Sequence, residues 1–510
     1  MKMMLTEQYI EKKLVDLDGK LTEIKEYIVQ SAQIGTVAHE VEKELYRKIF
    51  ELGLHALQGF FTLQGDGDVG DSLEMPDGRE VKRLEGLRKR NYRSVFGTVI
   101  LNRAVYGSRQ KSKLECIPLD ARLQLPEAEQ SYVLQEISQF ICMEMSYKKA
   151  KEALERFLPI KTTIDTLERI TREQSSSVDA YRDIKPEPIL DEEGELLIVT
   201  ADAKGIPIKQ ELPSEEIKIE DHQFKIGPKP GRKRMAVVGA IYSIERYIRK
   251  PEEIVTALFR DNTSNSEEKS HRPTPENKEI IAYLDREIDG VVQSASDKTF
   301  EYLSEKAITR LDGTDKEMAF LIDGQPSLWE KKKQYFGSRT GTEILDLLHV
   351  NGYLWDVANL LHPEDKGAQV KFMKDKLLKV LEGDIGRVIG GFKQTATKLN
   401  FSAAKKEKLE KICNYFKKNK KRMRYDLFLS KGYPIATGVI EGACRHYIKD
   451  RMERSGMRWT MDGAQAMLDM RSIYINDDWS EFQQFKIQKE VELLYPYRSM
   501  FNEVDWPLAA

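Results

Sequence analysis

The spacing of hydrophobic residues predicts a helical N-terminal region. Leucine and isoleucine recur at intervals of three and four over 14–28, and the same period returns over 38–61. Such intervals place apolar side chains on one face of a helix. The stretch 65–71 is rich in Gly and Asp and predicts a loop. Its Asp spacing does not match a twelve-residue cation-binding loop, so we favour a plain turn over a calcium site.

A hairpin and a helix pair are predicted next. Residues 92–107 are rich in β-branched and aromatic side chains, which is typical of strands. Helical periods follow over 146–157 and 161–170, with Pro159 between them. Two short helices with a tight break favour either a DNA-binding helix-turn-helix or an ordinary helical hairpin, and the residues alone leave both open. The polar stretch 171–192 predicts a linker.

Two apolar runs in the middle of the chain each end in an aspartate, at Asp202 and Asp323. Both runs have the length of buried strands, and 235–244 predicts another. A turn is predicted at 205–207. Strands mixed with helices indicate an α/β layer. Because ligands of such sheets bind outside the carboxyl ends of the strands, we expect both aspartates to face a site.

Helical spacing accounts for most of the remaining chain. The predicted stretches are 277–309, 342–360, 367–424 and 441–454, and Gly456 lies where the last helix needs a cap. Within 405–424, ten Lys or Arg stand against two Glu, a net charge of +8. A charge run usually forms only a solvated face, but this excess favours phosphate contacts that would position DNA. The candidates are Lys417, Lys418, Lys420, Lys421 and Arg422.

Composition limits the class of protein. The 510 residues suggest about three domains, and 40% apolar residues are enough for real cores. A net charge of −2 excludes a globally basic coat but not a local basic site. No run approaches the roughly 18 apolar residues of a membrane span. The N-terminus lacks an apolar signal segment, and the four Cys form no Cys-x-x-Cys pair. We expect a soluble cytoplasmic protein with no membrane partner.

Two strand-end aspartates and one helical glutamate would form a pocket of hard oxygen ligands. Such a pocket suits Mg²⁺, and two ions about 4 Å apart can activate an attacking oxygen and stabilise a leaving one. Each Asp alone is more often a turn or cap residue. The residues alone do not select one glutamate from 83 acidic side chains.

A long motif resembles the signature of the ISKra family of bacterial insertion-sequence transposases. It spans 433–459 and reads Tyr-Pro-Ile-Ala-Thr-Gly-Val-Ile-Glu-Gly-Ala-Cys-Arg-His-Tyr-Ile-Lys-Asp-Arg-Met-Glu-Arg-Ser-Gly-Met-Arg-Trp. Shorter matches lie at 199–205, 232–236, 321–329 and 463–471. The resemblance covers about 40–480.

The resemblance implies a ribonuclease-H-like α/β core whose catalytic, metal-binding triad is Asp202, Asp323 and Glu441. It also implies an inserted all-helical domain, as in the related Mutator-like transposases, after a mostly helical N-terminal region with a helix-turn-helix. The expected division is 1–125 (helices and hairpin), 126–190 (helix-turn-helix and linker), 191–360 (first part of the core), 361–432 (insertion), 433–480 (final core helix) and 481–510 (tail).

Mutator-like transposases also carry an Asp or Cys three residues before a His, which Asp346 and His349 match here. At this spacing both lie on one helix face. We expect them near the site rather than as metal ligands, with a structural hydrogen bond as the alternative.

Further DNA contacts are expected around the final motif. Arg445 and Lys449 follow Glu441 at helical intervals and could hold a phosphate, or could form an ion-pair ladder. Trp459 could stack on an unpaired base or fill a core gap. The other candidates are Arg458, Arg232, Lys233 and Arg234.

The implied chemistry is DNA transposition. Water-activated cleavage at a transposon end frees a 3′-hydroxyl, which attacks target DNA, with two Mg²⁺ or Mn²⁺ ions as cofactors. The implied partners are DNA (transposon ends and target) and a second copy of the chain, and the implied location is the bacterial nucleoid. The alternatives are a ribonuclease-H-fold nuclease and a non-catalytic DNA-binding descendant of a transposase. A small-molecule α/β enzyme lacks support because no phosphate-binding Gly-rich loop follows a strand.

Overall fold

The computed structural model describes residues 7–108, 113–189, 193–209, 233–259, 272–288, 291–337, 339, 341–454 and 456–501. Its helices are α1 (Glu7–Ile34), α2 (Ala38–Leu63), α3 (Pro118–Leu123), α4 (Tyr132–Glu144), α5 (Tyr147–Phe157), α6 (Ile164–Ser175), α7 (Val178–Ile184), α8 (Pro251–Phe259), α9 (Ala295–Leu311), α10 (Pro326–Phe336), α11 (Leu347–Leu361), α12 (Lys366–Leu381), α13 (Ile385–Lys398), α14 (Ala403–Asn419), α15 (Tyr425–Ser430), α16 (Gly438–Ala443), α17 (Asp450–Met452), α18 (Met461–Ile475) and α19 (Trp479–Leu494). Its strands are β1 (Ser72–Glu74), β2 (Glu80–Arg83), β3 (Arg88–Ser94), β4 (Gly97–Arg103), β5 (Tyr106–Ser108), β6 (Lys113–Cys116), β7 (Leu196–Pro207), β8 (Lys233–Ile244), β9 (Glu276–Leu284), β10 (Arg286–Ile288), β11 (Val291–Gln293), β12 (Glu317–Ile322) and β13 (Thr342–Leu345). The chain divides into two compact units, Met1–Tyr181 with Asp478–Ala510, and Arg182–Asp477.

The first unit combines packed helices with small antiparallel sheets. The predicted N-terminal helices are α1 and α2, which pack on each other. The predicted hairpin is β3–β4, paired from Arg88 with Arg103 to Ser94 with Gly97. Strands β1, β2, β5 and β6 form a second sheet. Its core contains the buried Tyr106 and receives Val491 from α19.

The helix pair predicted over 146–157 and 161–170 consists of α5 and α6, both in contact with α4. Ser146 and Thr163 cap their first turns through side-chain oxygens. The predicted linker over 171–192 is wrong in its first part, because α6 continues to Ser175 and α7 follows. Polar composition misled the prediction, since Thr171 in this stretch is buried and its hydroxyl is hydrogen-bonded inside the unit.

The second unit is built on one mixed sheet with the strand order β13-β12-β7-β8-β9. β7, β12 and β13 are parallel, whereas β8 and β9 are antiparallel to their neighbours. Alternate side chains of a strand point to opposite faces. Accordingly Leu197 and Val199 pack with α9 and α10, while Leu196 and Ile198 pack with α11–α15. The helices of the predicted insertion, α12–α15, thus share one hydrophobic cluster with the sheet.

Three predicted elements of this unit are wrong. The start of the helix predicted over 277–309 is wrong, because β9, β10 and β11 lie there and the helix α9 begins only at Ala295; the end of β9 is buried on both faces, and such a run has no diagnostic period. The turn predicted at 205–207 is absent, because β7 pairs with β8 as far as Pro207. The helix predicted over 342–360 begins only after a strand, β13.

The outer edge of β9 is covered by side chains of α18 and of Asn476, the residue that follows it. The amide group of Asn476 exchanges hydrogen bonds with the main chain of Ile280, and that of Gln465 bonds the main chain of Ala282 and Leu284. These bonds satisfy main-chain groups that an open edge would leave available to another chain.

None of the described helices has the length and apolarity that crossing a membrane requires. The four Cys are buried, and no disulfide bond joins any two of them.

Candidate functional site

The first two candidate carboxylates meet through the register of neighbouring strands. The last pair between β12 and β7 joins Phe320 to Val199. Carrying the register on by three residues brings Asp323 level with Asp202. Both positions have the parity of the side chains that face α11–α15. Asp202 lies within β7 and not at its end as predicted, but it lies beyond the stretch that β12 covers.

A third aspartate, Asp346, extends this row. It follows β13 as Asp323 follows β12, and these two strands are parallel. The main-chain N–H of Asp346 donates to Ile322 O at 3.1 Å, so the ladder continues to the end of β13. Three aspartates therefore lie in one row across neighbouring parallel strands, Asp323 and Asp346 directly after β12 and β13 and Asp202 within β7.

The carboxylate of Asp346 is fully buried and accepts three hydrogen bonds. Its Oδ1 accepts from Leu348 N at 3.2 Å, which caps α11, and from Thr437 N at 3.0 Å. Its Oδ2 lies 2.7 Å from His349 Nδ1. The Asp–His pair suggested by the sequence is therefore formed, with Asp346 as the cap of α11 and not within a longer helix.

Glu441 approaches from a different direction, on α16, which packs against β7 and β8. Its carboxylate lies within 4.8 Å of ligand atoms of Asp346 and His349. Three residues later, Cys444 Sγ donates to Asp202 Oδ2 at 3.2 Å. His349 Nε2 lies 4.0 Å from Asp323 Oδ2. We call Asp202, Asp323, Asp346, His349 and Glu441 the strand-end cluster.

The helix predicted over 441–454 contains a π-helical segment. α16 leads into π-helical residues Cys444–Lys449 and then α17. A wider π turn disturbs the i, i+4, i+8 alignment expected for Glu441, Arg445 and Lys449; such segments are frequent at functional sites. Arg445 and Lys449 are exposed. Gly456 has a φ of +77° in the turn after the helix, a conformation that suits glycine.

Burial and like charge act together on two of the carboxylates. Burial raises the pKa of Asp323, and the negative charges of Asp202 and Asp346 add to this shift against the opposing Gln325 N–H and His349. Burial of its carboxyl group also raises the pKa of Glu441, with Asp346 as the next contribution. The cluster thus holds more negative charge than its single histidine offsets.

His349 carries the positive charge of the cluster. Its hydrogen bond to Asp346 raises its pKa from 6.5 to about 9, and the charges of Asp346, Asp323 and Asp202 add to the effect. In the absence of a metal this environment favours the protonated imidazole at neutral pH. Cys444 stays a thiol, because burial and Asp202 raise its pKa well above its ordinary range.

A cleft of about 960 Å³ opens beside the cluster. One side is formed by Asp323, the residues that follow it, and His349. The other side is α14. Gly324 packs against Tyr415 of α14 so closely that a Cβ there would lie 2.1 Å from the ring. The α14 side chains that line the cleft are Lys411, Asn414, Tyr415, Lys417, Lys418 and Asn419.

Two sequence candidates have structural partners. The Arg422 guanidinium bonds Glu343 at 2.7 Å and lies 3.8 Å from the centre of the Trp329 ring. Trp459 is buried and its Nε1 donates to Met452 O at 3.0 Å. These contacts favour the core interpretation of Trp459 over base stacking and give Arg422 a structural role.

The other candidates are at the surface or outside the described residues. Lys233 pairs with Glu453 at 2.8 Å. Arg234, Arg458, Lys420 and Lys421 are exposed. Arg232 lies outside the part of the chain that the structure describes.

Sequence reasoning missed Thr437, Tyr415 and the cleft residues Lys411 and Asn414. Thr437 and Tyr415 carried no chemical signal, because their importance depends on contacts with Asp346 and Gly324. Lys411 was counted only as part of the basic run. Its helical spacing with Asn414 and Lys418 places the three on one face of α14.

No family model matches the chain, and no curated protein matches it. Among solved structures, the Drosophila P element transposase strand transfer complex is similar over 68% of this chain and 80% of that chain. The identity is 10% and the TM-score is 0.23. A similarity at this level supports no conclusion about function.

Proposed function

We propose that the chain is a DNA transposase of the Asp-Asp-Glu class. Asp202, Asp323 and Glu441 form its catalytic triad, within a ribonuclease-H-like core into which α12–α15 are inserted. The strand order with its antiparallel β8 and β9 and its parallel β12 and β13 supports such a core. Within this class we propose the ISKra family, because the motif at 433–459 resembles the signature of its transposases.

The observation that carries the proposal is the convergence of three carboxylates from distant parts of the chain. The β12–β7 register, extended three residues beyond its last pair, points Asp323 toward Asp202, and the charge of Asp202 acts on the Asp323 carboxyl group. α16 brings Glu441 to the same edge, and Cys444 bonds Asp202 directly. Burial and the negative charges of Asp202 and Asp346 raise the pKa of both Asp323 and Glu441. A site that accumulates negative charge in this way favours a cationic ligand.

The donor set fits Mg²⁺ or Mn²⁺, which prefer carboxylate oxygens. We propose that two such ions bind, held by the carboxylates of Asp202, Asp323 and Glu441. Bound there, the ions would neutralise charge on the transferred phosphoryl group and on the attacking and leaving oxygens. His349 would lie beside them, oriented by Asp346, with Nε2 directed toward the site where it could contact a phosphate oxygen.

The cleft would hold the DNA strand next to the carboxylates. Lys417 and Lys418 are exposed on α14 and line the cleft that Asp323 and His349 also line. Their ammonium groups would contact phosphates and position the scissile bond. Because α14 packs on Gly324 through Tyr415, the DNA-holding helix is fixed relative to Asp323. The same site would serve end cleavage and strand transfer, since both are displacements at phosphorus.

The test is a cleavage assay with labelled terminal-repeat DNA and Mg²⁺. Asp202→Asn, Asp323→Asn and Glu441→Gln should each reduce strand cleavage by more than about a hundredfold while binding of the end is retained. Full cleavage by one variant would remove that residue from the triad.

The alternatives give different results in the same assay. A ribonuclease-H-fold nuclease would cleave unrelated DNA or RNA equally well and would form no strand-transfer product. A non-catalytic descendant would bind the ends and cut nothing with either metal.

A further inference from the structure

We infer that Asp346 is a positioning residue with two separate tasks, orienting His349 through one carboxylate oxygen and fixing the start of the Glu441 helix through the other. The inference rests on the proposed function only for its effect on cleavage. Its two hydrogen-bond arms are properties of the fold.

A buried carboxylate needs a reason, because removal of a charge from water is costly unless the group is hydrogen-bonded. Asp346 is fully buried, and among the described residues no lysine or arginine forms an ion pair with it. Its hydrogen-bond donors are two main-chain N–H groups and one imidazole. These donors belong to α11 and to the start of α16.

The first arm directs His349. A carboxylate can only accept a hydrogen bond, so Nδ1 of His349 carries a proton and donates it to Asp346 Oδ2 over 2.7 Å. This bond turns Nε2 toward Asp323 Oδ2, 4.0 Å away. The edge of the imidazole that faces the other carboxylates is therefore always Nε2.

The second arm holds α16. Thr437 is the residue before α16, and its side chain forms no capping hydrogen bond with the first turn of that helix. Its N–H donates to Asp346 Oδ1 at 3.0 Å. Glu441 lies one turn later, and its N–H bonds Thr437 O at 2.9 Å. The position of the Glu441 carboxylate therefore depends on a contact made by a residue more than ninety positions earlier in the chain.

Two substitutions separate the arms. In Asp346→Asn the amide oxygen can still accept hydrogen bonds from Thr437 N and Leu348 N. The amide NH₂ group then faces His349, and it can donate a hydrogen bond to Nδ1 only if Nδ1 carries no proton. The first arm is lost and the second is kept. Asp346→Ala removes both. Asp365→Ala is the matched control, because Asp365 caps α12 through Ala368 N at 2.9 Å and is exposed.

Amide hydrogen exchange tests the second arm without any reaction. We expect peptides covering 437–443 to exchange at least about tenfold faster in Asp346→Ala than in the wild type, and at an unchanged rate in Asp346→Asn and Asp365→Ala. Equal protection of this segment in the wild type and in Asp346→Ala would overturn the second arm.

Nitrogen NMR of labelled histidine tests the first arm. The wild type should show His349 protonated at Nδ1, and Asp346→Asn should show Nδ1 without a proton. An Nδ1 proton retained in Asp346→Asn would overturn this arm. Both measurements are valid even if the wild type cleaves no DNA, so failure of the proposed function is distinguished from failure of this inference.

Cleavage then links the arms to catalysis. Asp346→Asn should lower the cleavage rate roughly tenfold or more with end binding unchanged, because the imidazole is misdirected. If Asp346 acts through His349, the same substitution should have little further effect in a His349→Ala background. Full additivity of the two substitutions would show that Asp346 affects cleavage by another route.

Discussion

Two groups of charged residues in the second unit are organised in opposite ways. In the strand-end cluster four carboxylates face one another and one histidine. A second group, which we call the paired cluster, joins each acid to basic side chains; it consists of Glu187, Glu193, Glu279, Lys185, Lys306, Arg310 and Lys316. Both groups contain buried acids, Asp346 in the first and Glu193 and Glu279 in the second, so burial of a carboxylate alone does not distinguish them.

The difference is visible in the direction of the pKa shifts. Burial acts to raise the pKa of Glu279, but Lys185, Lys306 and the hydroxyl of Tyr302 outweigh it, and the pKa is lowered. For Asp323 the same burial is reinforced by like charges, and the pKa is raised. Each acid of the paired cluster has a basic partner, whereas among the described residues His349 is the only basic side chain that pairs with the acids of the strand-end cluster. This asymmetry is typical of a functional site.

The largest expected effect is on stability, and it has opposite signs in the two clusters. Glu193→Gln should lower the free energy of unfolding by roughly 3 kcal/mol, because Arg310 and Lys316 would be left as buried, unpaired charges. Asp323→Asn should raise it in the absence of metal, because a repelling charge is removed. Urea unfolding in a chelator measures both, and a loss of stability in Asp323→Asn would remove the contrast.

Divalent cations should act on one cluster only. At a hundredfold excess over its dissociation constant, Mg²⁺ or Mn²⁺ should stabilise the wild type by about 2.7 kcal/mol, seen as a rise in melting temperature. The Glu193→Gln variant should be stabilised by the metal as much as the wild type is, whereas the Asp323→Asn variant should lose most of this metal-dependent stabilisation. An increment that is equal in both variants would place the metal elsewhere.

The position of Asp323 was predictable from the sequence, because a strand of five buried apolar residues before it has few other interpretations. Asp346 was predicted to lie near the site, but on a helix and not after a strand. A signal for the strand was present, since Ile-Leu-Asp over 344–346 repeats the Leu-Ile-Asp pattern over 321–323. With four residues, β13 is too short to show a periodic pattern, so the sequence analysis assigned these residues to the following helix.

The burial and internal pairing of the charged residues in the paired cluster were not predictable from the sequence. Lys306 and Arg310 carry charges that normally indicate a solvated helix face, and only the fold shows that Glu187 pairs with Lys306 and Glu193 with Arg310. The partner of Arg422 was likewise not predictable: the sequence makes it a candidate DNA contact, and the fold pairs it with Glu343. Whether a basic residue stabilises the fold or is available to a partner depends on ion pairs with residues distant in the chain. The spacing of residues in the sequence does not reveal these pairs.

Lysines that are not paired internally should serve a partner, and α14 allows a matched test. Lys417 and Lys418 line the cleft, and among the described residues neither forms an ion pair. Replacing both with Gln should make the salt dependence of DNA binding shallower by about 2 in log–log slope, because two phosphate contacts are lost. The control Lys405→Gln/Lys406→Gln makes the same charge change outside the cleft. Equal slopes in the two variants would mean that the whole basic run acts as diffuse charge.

The smallest expected effect is a pH dependence that runs in opposite directions in the two clusters. The folded chain raises the pKa of His349 from 6.5 to about 9, so the stabilisation from its charged form is complete below pH 6.5 and is lost as the pH rises through 9. The lowered pKa of Glu279 gives the reverse, a stabilisation present at neutral pH and lost in acid. In a chelator, the difference in unfolding free energy between wild type and His349→Gln should shrink from pH 6.5 to pH 9. His349 is partly exposed, and solvent screening keeps this difference modest. A difference that stayed constant across this interval would mean that Asp346 does not hold the proton on His349, and the contrast between the two clusters would then rest on metal binding and stability alone.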